Sequence, residues 1–343
     1  MRGIFWAVML LIPVAFGWFG INWFAYRDMP RLLPKFRIDG DPMTKFDPEI
    51  GFVARPDSSS MPHEDYSDTV KIAYNVYTDH RGARVSAPGQ QTAQPLDVMF
   101  LGDSFPWGQG VDEADTFPYV AAKNLNLSGA NFALFAWGTV QSLQMLRRNK
   151  DLKPRTVVYS FVTDNLRRNV TACAPGFYPF CYDVSHVARE ADGLQIKPPR
   201  GNGVERVRLQ LLAEQGSLDP MTWVSHGVDV ILSRQHRQSA FSQGMDVALQ
   251  NDAFDLLLGQ LADTCTEIGA RLLVVYIPQR GGGPPTEAMT SAIAKHGLAF
   301  LDVTKALRQR PEPELYLVNG HLNPAGHKIV ADEIAANLSS PAR

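Results

Sequence analysis

Cysteine is scarce in this chain: 343 residues contain three, Cys173, Cys181 and Cys265. That excludes a disulfide-built scaffold, and no Cys or His spacing matches a zinc site, so neither metal nor cofactor is expected. Charge of one sign is lacking too, since 33 Lys and Arg stand against 35 Asp and Glu for a net −2, without any block of like charge. A nucleic-acid-binding surface is therefore not expected. Internal repeats, low-complexity tracts and Met or aromatic stripes suggesting a cofactor box are missing as well. What remains is a hydrophobic content of 45%, ample for one large α/β domain with appendages.

One long uncharged run is present, from Gly3 to Tyr26. It exceeds the ~20 residues a helix needs to cross a bilayer, and Trp6, Trp18, Trp23 and Tyr26 lie toward its ends, where amphipathic rings favour the interface. Residues 1–26 are thus expected to anchor the chain in a lipid bilayer through a single transmembrane helix. A cleaved signal peptide is the rival, with Ala15-Phe16-Gly17 as a small-x-small site, but the apolar run continues well past it. Arg27, Arg31, Lys35 and Arg37 follow the span and favour a cytoplasmic domain by the positive-inside rule. Large domains translocate despite such charge. Cys173 and Cys181 lean toward the periplasm, because Pro and Gly in TACAPGFYPFC can bend the chain into a disulfide suited to an oxidising compartment. Two reduced, partly buried thiols fit that segment equally well. Cys265 falls in a helical pattern and reads as core.

Residues 27–95 are rich in Pro, Asp, Ser and Gly and read as a lead-in that packs on the main domain, with one strand-like run from Val70 to Tyr77 and a polar linker from Ser86 to Gln94. From Leu96 apolar runs alternate with helical patterns, the signature of βαβ units and a parallel sheet. Strands are expected at 97–102, 131–135, 156–162, 271–277 and 299–303, and helices at 117–125, 140–148, 254–268, 286–295 and 324–338. Residues 170–250 break this rhythm and read as an insertion or cap within a domain spanning 96–343. Phe177, Tyr178, Phe180 and Tyr182 in it form either a sugar-stacking wall or the insertion's own small core. Arg147-Arg148 and Arg167-Arg168 suit an anionic glycan, although paired arginines are more often a solvated face.

The run DVMFLGDSFPWGQG is a buried strand ending in Gly102-Asp103-Ser104. In an open parallel sheet the carboxyl ends of the strands form the ligand crevice, which places Ser104 for chemistry. A lone GDS is weak, since a serine in a strand-to-helix turn is usually a cap. The chain also ends with Asn319-Gly320-His321-Leu322-Asn323-Pro324-Ala325-Gly326-His327 ahead of an amphipathic helix. A histidine after the last strand, with a serine after the first, pairs a base with a nucleophile.

Together these segments resemble the SGNH/GDSL hydrolases, in particular exported members that modify acyl groups on bacterial polysaccharides. Leu101 to Phe105 with Gly108, Gly110 and Thr116-Phe117-Pro118 is similar to the family's first block. Phe135-Ala136-Trp137-Gly138 is similar to the second, and the segment from Gly320 to His327 to the last. Asp79-His80-Arg81-Gly82 looks like the turn that often precedes the first. The resemblance implies a three-layer, flavodoxin-like parallel sheet with helices on both faces. It also implies Ser104 as nucleophile, His321 as general base, and an oxyanion hole from the N–H groups of Ser104 and Gly138 with the Asn165 side chain.

Two positions depart from that pattern. Asp164-Asn165 stands where the family has Asn-Asp, so either Asn165 still serves or Asp164 blocks the oxyanion site. Asn319 precedes His321 where an aspartate is usual. Its carbonyl can hold the ring through Nδ1–H but brings no charge to the imidazolium. Asp302 and Asp164 are the alternative acids. The expectation is a serine hydrolase or O-acyltransferase acting on ester-linked acyl groups, such as those of an acylated cell-envelope carbohydrate. The chain would sit at the inner membrane with a periplasmic domain and no specified protein partner. The alternative is a degenerate hydrolase domain serving as a membrane-anchored binding or scaffold protein.

Overall fold

The computed structural model describes residues 9, 12–20, 36–65, 69–174, 182–201, 209 and 218–339. Residues 12–20 are helical, with Ile12, Val14, Phe16 and Phe19 exposed. No helix of the described residues is long and apolar enough to cross a membrane. The expected span at 3–26 lies largely outside them.

The polar stretch after the N-terminal segment forms seven short strands: β1 (Phe36–Gly40), β2 (Thr44–Asp47), β3 (Gly51–Ala54), β4 (Ser59–Asp65), β5 (Lys71–Ala73), β6 (Val76–Thr78) and β7 (Arg84–Val85). β2 and β3 pair with each other, whereas β1, β5 and β6 are antiparallel to β4, and β7 is antiparallel to β6. The single strand expected over Val70–Tyr77 is thus two, broken at Tyr74-Asn75. Between β6 and β7, Asp79 Oδ1 accepts from the N–H groups of Arg81 and Ala83 at 2.8 and 2.9 Å, and Gly82 turns the chain at φ +83°. The lead-in does more than pack on the main domain: Arg84 pairs with Asn131, joining these strands to the main sheet.

From β8 (Val98–Leu101) the expected alternation appears. Five strands run parallel: β8, β9 (Gly129–Asn131), β10 (Thr156–Phe161), β15 (Arg271–Tyr276) and β16 (Ala299–Asp302), in the spatial order β9-β8-β10-β15-β16. This is the 2-1-3-4-5 order of flavodoxin-like sheets. The intervening helices are α1 (Ser104–Trp107), α2 (Phe117–Asn124), α3 (Thr139–Arg148), α4 (Asp164–Val170), α5 (Pro220–Gly244), α6 (Val247–Glu267), α7 (Glu287–Lys295), α8 (Thr304–Leu307) and α9 (Pro324–Ser339).

Alternation along the strands divides the core into two layers, because successive side chains point to opposite faces. Val157, Tyr159 and Phe161 face one way, onto Leu143 of α3, Leu166 of α4 and Phe254 and Leu258 of α6. Val158 and Val275 face the other, onto Ala121 of α2 and Val330 and Ile334 of α9. Strands buried on both faces need continuous apolar sequence, and VVYSF and LLVVY supply it. The insertion contributes two hairpins, β11 (Cys173–Ala174) with β12 (Tyr182–Asp183) and β13 (His186–Glu190) with β14 (Gly193–Lys197), before α5.

Candidate active site

The nucleophile position is built by a backbone constraint. Gly102 ends β8 at φ +144°, and a Cβ there would lie 2.3 Å from the carbonyl oxygen of Ser160 on the neighbouring strand. The chain can therefore turn at 102 without leaving the sheet only if the residue has no side chain. Asp103 then caps α1, its Oδ1 accepting from Phe105 N at 2.9 Å, and Ser104 begins the helix at the carboxyl edge of the sheet. Ser104 N–H has no acceptor among the described residues.

The loop after α1 is fixed by a buried ionic network. Arg84 of β7 donates to the carbonyls of Trp107, Gly108 at 2.9 Å, Val111 at 2.5 Å and Asn75 at 3.0 Å, and its Nε lies 3.2 Å from Glu113. Asn131 adds donors to Pro106 O at 2.9 Å and to the Glu113 carboxylate. Burial pushes the Glu113 carboxyl up while the Arg84 guanidinium pulls it back.

His321 reaches Ser104 from a tight turn. Tyr316 bridges Leu322, Leu317 N donates to His321 O at 2.7 Å, and Gly320 sits at φ +84°. The His321 Nε2 to Ser104 Oγ distance is 2.8 Å, with the Phe105 ring 5.3 Å from the imidazole. A hydrogen bond of that length between a serine hydroxyl and a ring nitrogen is the ground state of general-base activation. Burial drops the His321 pKa to about 4, while the charge of Glu64 pulls it upward and that of Arg168 pushes it down. The ring is thus neutral near pH 7. Its Nδ1 is buried with no hydrogen-bond partner among the described residues.

Asn319 is beside the histidine but does not hold the ring: Oδ1 accepts from His321 N at 3.1 Å and Nδ2 donates to Glu64 Oε2 at 3.2 Å. The half-exposed Asp164 carboxylate lies 3.8 Å from both Arg167 and Arg168. Asp302 accepts from Thr304 N at 2.9 Å, a local turn bond. Asn165 is fully buried, with Oδ1 accepting from Val162 N at 3.4 Å and Nδ2 lacking a well-formed hydrogen bond among the described residues. Gly138 departs from its expected role. It caps α3, and its N–H donates to Gln141 Oε1 at 2.8 Å. Just before it, Ala136 holds φ +61°, and the N–H groups of Phe135 and Ala136 have no acceptor among the described residues. Leu134 N, which donates to Gly102 O at 3.3 Å, places this loop alongside the nucleophile turn.

The paired arginines are mostly engaged. Arg148 grips Asp47 at 2.7 Å and Glu49 at 3.0 Å, and Arg168 spans Asp103 at 3.4 Å and Trp137 O at 3.1 Å. Burial raises the Asp103 carboxyl to about 6 against the pull of Arg168. Cys173 is disulfide-bonded and Cys265 is a free, buried thiol. Cys181, Phe177, Tyr178 and Phe180 lie outside the described residues. Tyr182 packs edge-on against Phe52 at 4.8 Å, so it belongs to a core and not to a sugar-stacking wall. Cys173, Asp183 and His236 converge within 4.8 Å, but a sulfur committed to a disulfide supplies no thiolate to a metal.

Glu64 and Gln109 are not legible in the sequence as site residues. Glu64 is 255 residues from Asn319 in a polar strand with no sequence signal for a buried acid.

No protein-family profile matches this chain, and no curated protein matches it in sequence. Solved structures similar to it include three described as esterases or lipases. The acetyl xylan esterase Est2A from Butyrivibrio proteoclasticus is 13% identical, with 89% of this chain and 87% of that one covered and a TM-score of 0.37. A variant of Axe2, an acetyl-xylooligosaccharide esterase from Geobacillus Stearmophilus, is 11% identical over 74% of this chain and 99% of that one, TM-score 0.39. A GDSL-like lipase from Bacteroides thetaiotaomicron is 10% identical over 73% and 91%, TM-score 0.36.

Proposed function

We propose that the chain is a serine esterase or O-acyltransferase, and the observation that carries this is the 2.8 Å contact between Ser104 Oγ and His321 Nε2. Ser104 Oγ attacks the ester carbonyl carbon as its proton passes to His321 Nε2. The tetrahedral intermediate then expels the alcohol, which takes that proton, leaving an acyl-serine. Water or a sugar hydroxyl attacks the acyl-serine with His321 again as base, releasing the acid or a new ester and restoring Ser104. The oxyanion donors are Ser104 N–H and Asn165 Nδ2, with Ala136 N–H in the place expected of Gly138. Each donor contributes about 10²–10³ in rate when aimed at the developing charge.

An acylated cell-envelope carbohydrate is the substrate class, and residues 3–26 hold the chain at the inner membrane with its domain in the periplasm. The Cys173 disulfide supports that compartment, and the exposed apolar side chains of residues 12–20 support the anchor. The unpaired His321 Nδ1 favours the rival reading of a degenerate, scaffolding domain, since an active base is normally held at that atom. Acetyl release from O-acetylated envelope glycan, followed with and without a deacetylated acceptor glycan, tests the proposal. Free acetate indicates hydrolysis and acceptor-dependent label indicates transfer. The absence of both leaves the scaffold reading.

A further inference from the structure

We propose that Glu64, on strand β4, is the acidic positioning residue of this site, supplying His321 with the negative charge that Asn319 lacks. The inference rests on the acyl-transfer reading above. Glu64 is buried, with 6% of its surface exposed, and a carboxylate is seldom placed there without a charge to serve or hydrogen bonds to hold it. Two bonds tie it to both halves of the catalytic pair. Gln109 Nε2 donates to Oε1 at 3.1 Å, and Gln109 N donates to Ser104 O at 3.1 Å. Asn319 Nδ2 donates to Oε2 at 3.2 Å, while Asn319 Oδ1 takes His321 N at 3.1 Å.

The absent aspartate and the buried glutamate then have one cause. An aspartate at 319 would face Glu64 carboxylate to carboxylate, and like charges in one buried site disfavour each other. Asparagine instead bridges the acid to the base loop, so the charge sits not two residues before the histidine but on a strand at the far end of the sequence. The charged groups acting on His321 are Glu64 from β4, which favours the imidazolium, and Arg168 from α4, which opposes it. His327 from α9 is kept neutral, its pKa pushed down to about 3 by burial, and its Nδ1 accepts from Phe117 N at 3.1 Å. Asp103 is committed to Phe105 N and Arg168.

The test compares the full chain with Glu64→Gln, Asn319→Asp and the double variant, using p-nitrophenyl acetate turnover, its pH dependence and thermal melting. Removal of the orienting carboxylate costs about 10⁴ in kcat in serine proteases. Glu64→Gln is expected to lose about 10²–10⁴ in kcat with KM little changed. Its acid limb should move to lower pH, because loss of a negative neighbour lowers the histidine pKa further. Asn319→Asp alone is expected to lose activity. The double variant should recover to within about tenfold of wild type, since the bond between the two positions is kept with its amide and carboxylate exchanged. A packing role for Glu64 predicts neither the shifted limb nor the rescue. Unchanged kcat and acid limb in Glu64→Gln overturn the proposal with the esterase intact. If Glu64→Gln fails to fold, the double variant decides, and a folded but inert double overturns it. A wild type inert toward both the ester and a fluorophosphonate overturns this inference and the acyl-transfer reading together.

Discussion

Gly102 makes the strongest demand of any single residue on this site. Alanine there would hold φ +144° and press its Cβ against the carbonyl of Ser160. The backbone strain alone costs about 1–3 kcal/mol, and relieving the clash must displace Ser104 from His321. Gly102→Ala is expected to lower the melting temperature and abolish ester hydrolysis together. Ser104→Ala should separate the two effects, losing activity while melting like wild type, because the hydroxyl's partner is the His321 ring. The pH profile follows from the same ring. His321 accepts a proton only when neutral and its pKa lies at about 4, so kcat/KM should hold down to about pH 5 and fall as pH drops through 4. A limb near 6.5, the ordinary imidazole value, would show that the ring is solvated in the working enzyme. Ser104 is legible in the sequence because it follows a strand end, and His321 because it lies in a run of turn residues ahead of the last helix. Glu64 is not, because a contact between positions 64 and 319 leaves no periodicity to read.

At the scale of elements, the βαβ rhythm is readable because strands buried on both faces are continuous apolar runs, as in Val98–Leu101 and residues 272–276. The antiparallel strands at 36–85 are not, since segments such as SSMPHED mix small, polar and charged residues whose pairing is set by the partner strand. The consequence is that these strands join the main sheet, and β7 reaches the candidate site. Arg84 of β7 pins the loop after Ser104 through three carbonyls and Glu113, and binds Asn75 O on its own side. Breaking a buried ion pair by removing one partner costs about 3–5 kcal/mol, because the other charge is stranded. Arg84→Met should therefore cut the free energy of unfolding by about that much in urea titration. Glu113→Gln, which keeps an acceptor, should cost less. Equal stability of both variants and wild type would contradict the network.

At the scale of the whole molecule, the Trp18 ring lies 6.1 Å from that of Trp223, so the N-terminal helical residues touch α5 of the insertion. α5 in turn exposes Met221, Val228 and Leu232. An apolar N-terminal helix and an apolar helix face side by side suit a bilayer surface. Protease added to spheroplasts should digest the domain without lysis if the proposed anchor holds it in the periplasm, and protection until lysis would place it in the cytoplasm, the side that the basic residues after the proposed span favour. Whether Ser104 is an activated nucleophile is tested most directly by a fluorophosphonate probe followed by peptide mass spectrometry. One covalent adduct is expected on Ser104, absent from His321→Ala and from Ser104→Ala. An unlabelled wild-type protein, folded and with its disulfide intact, would contradict it.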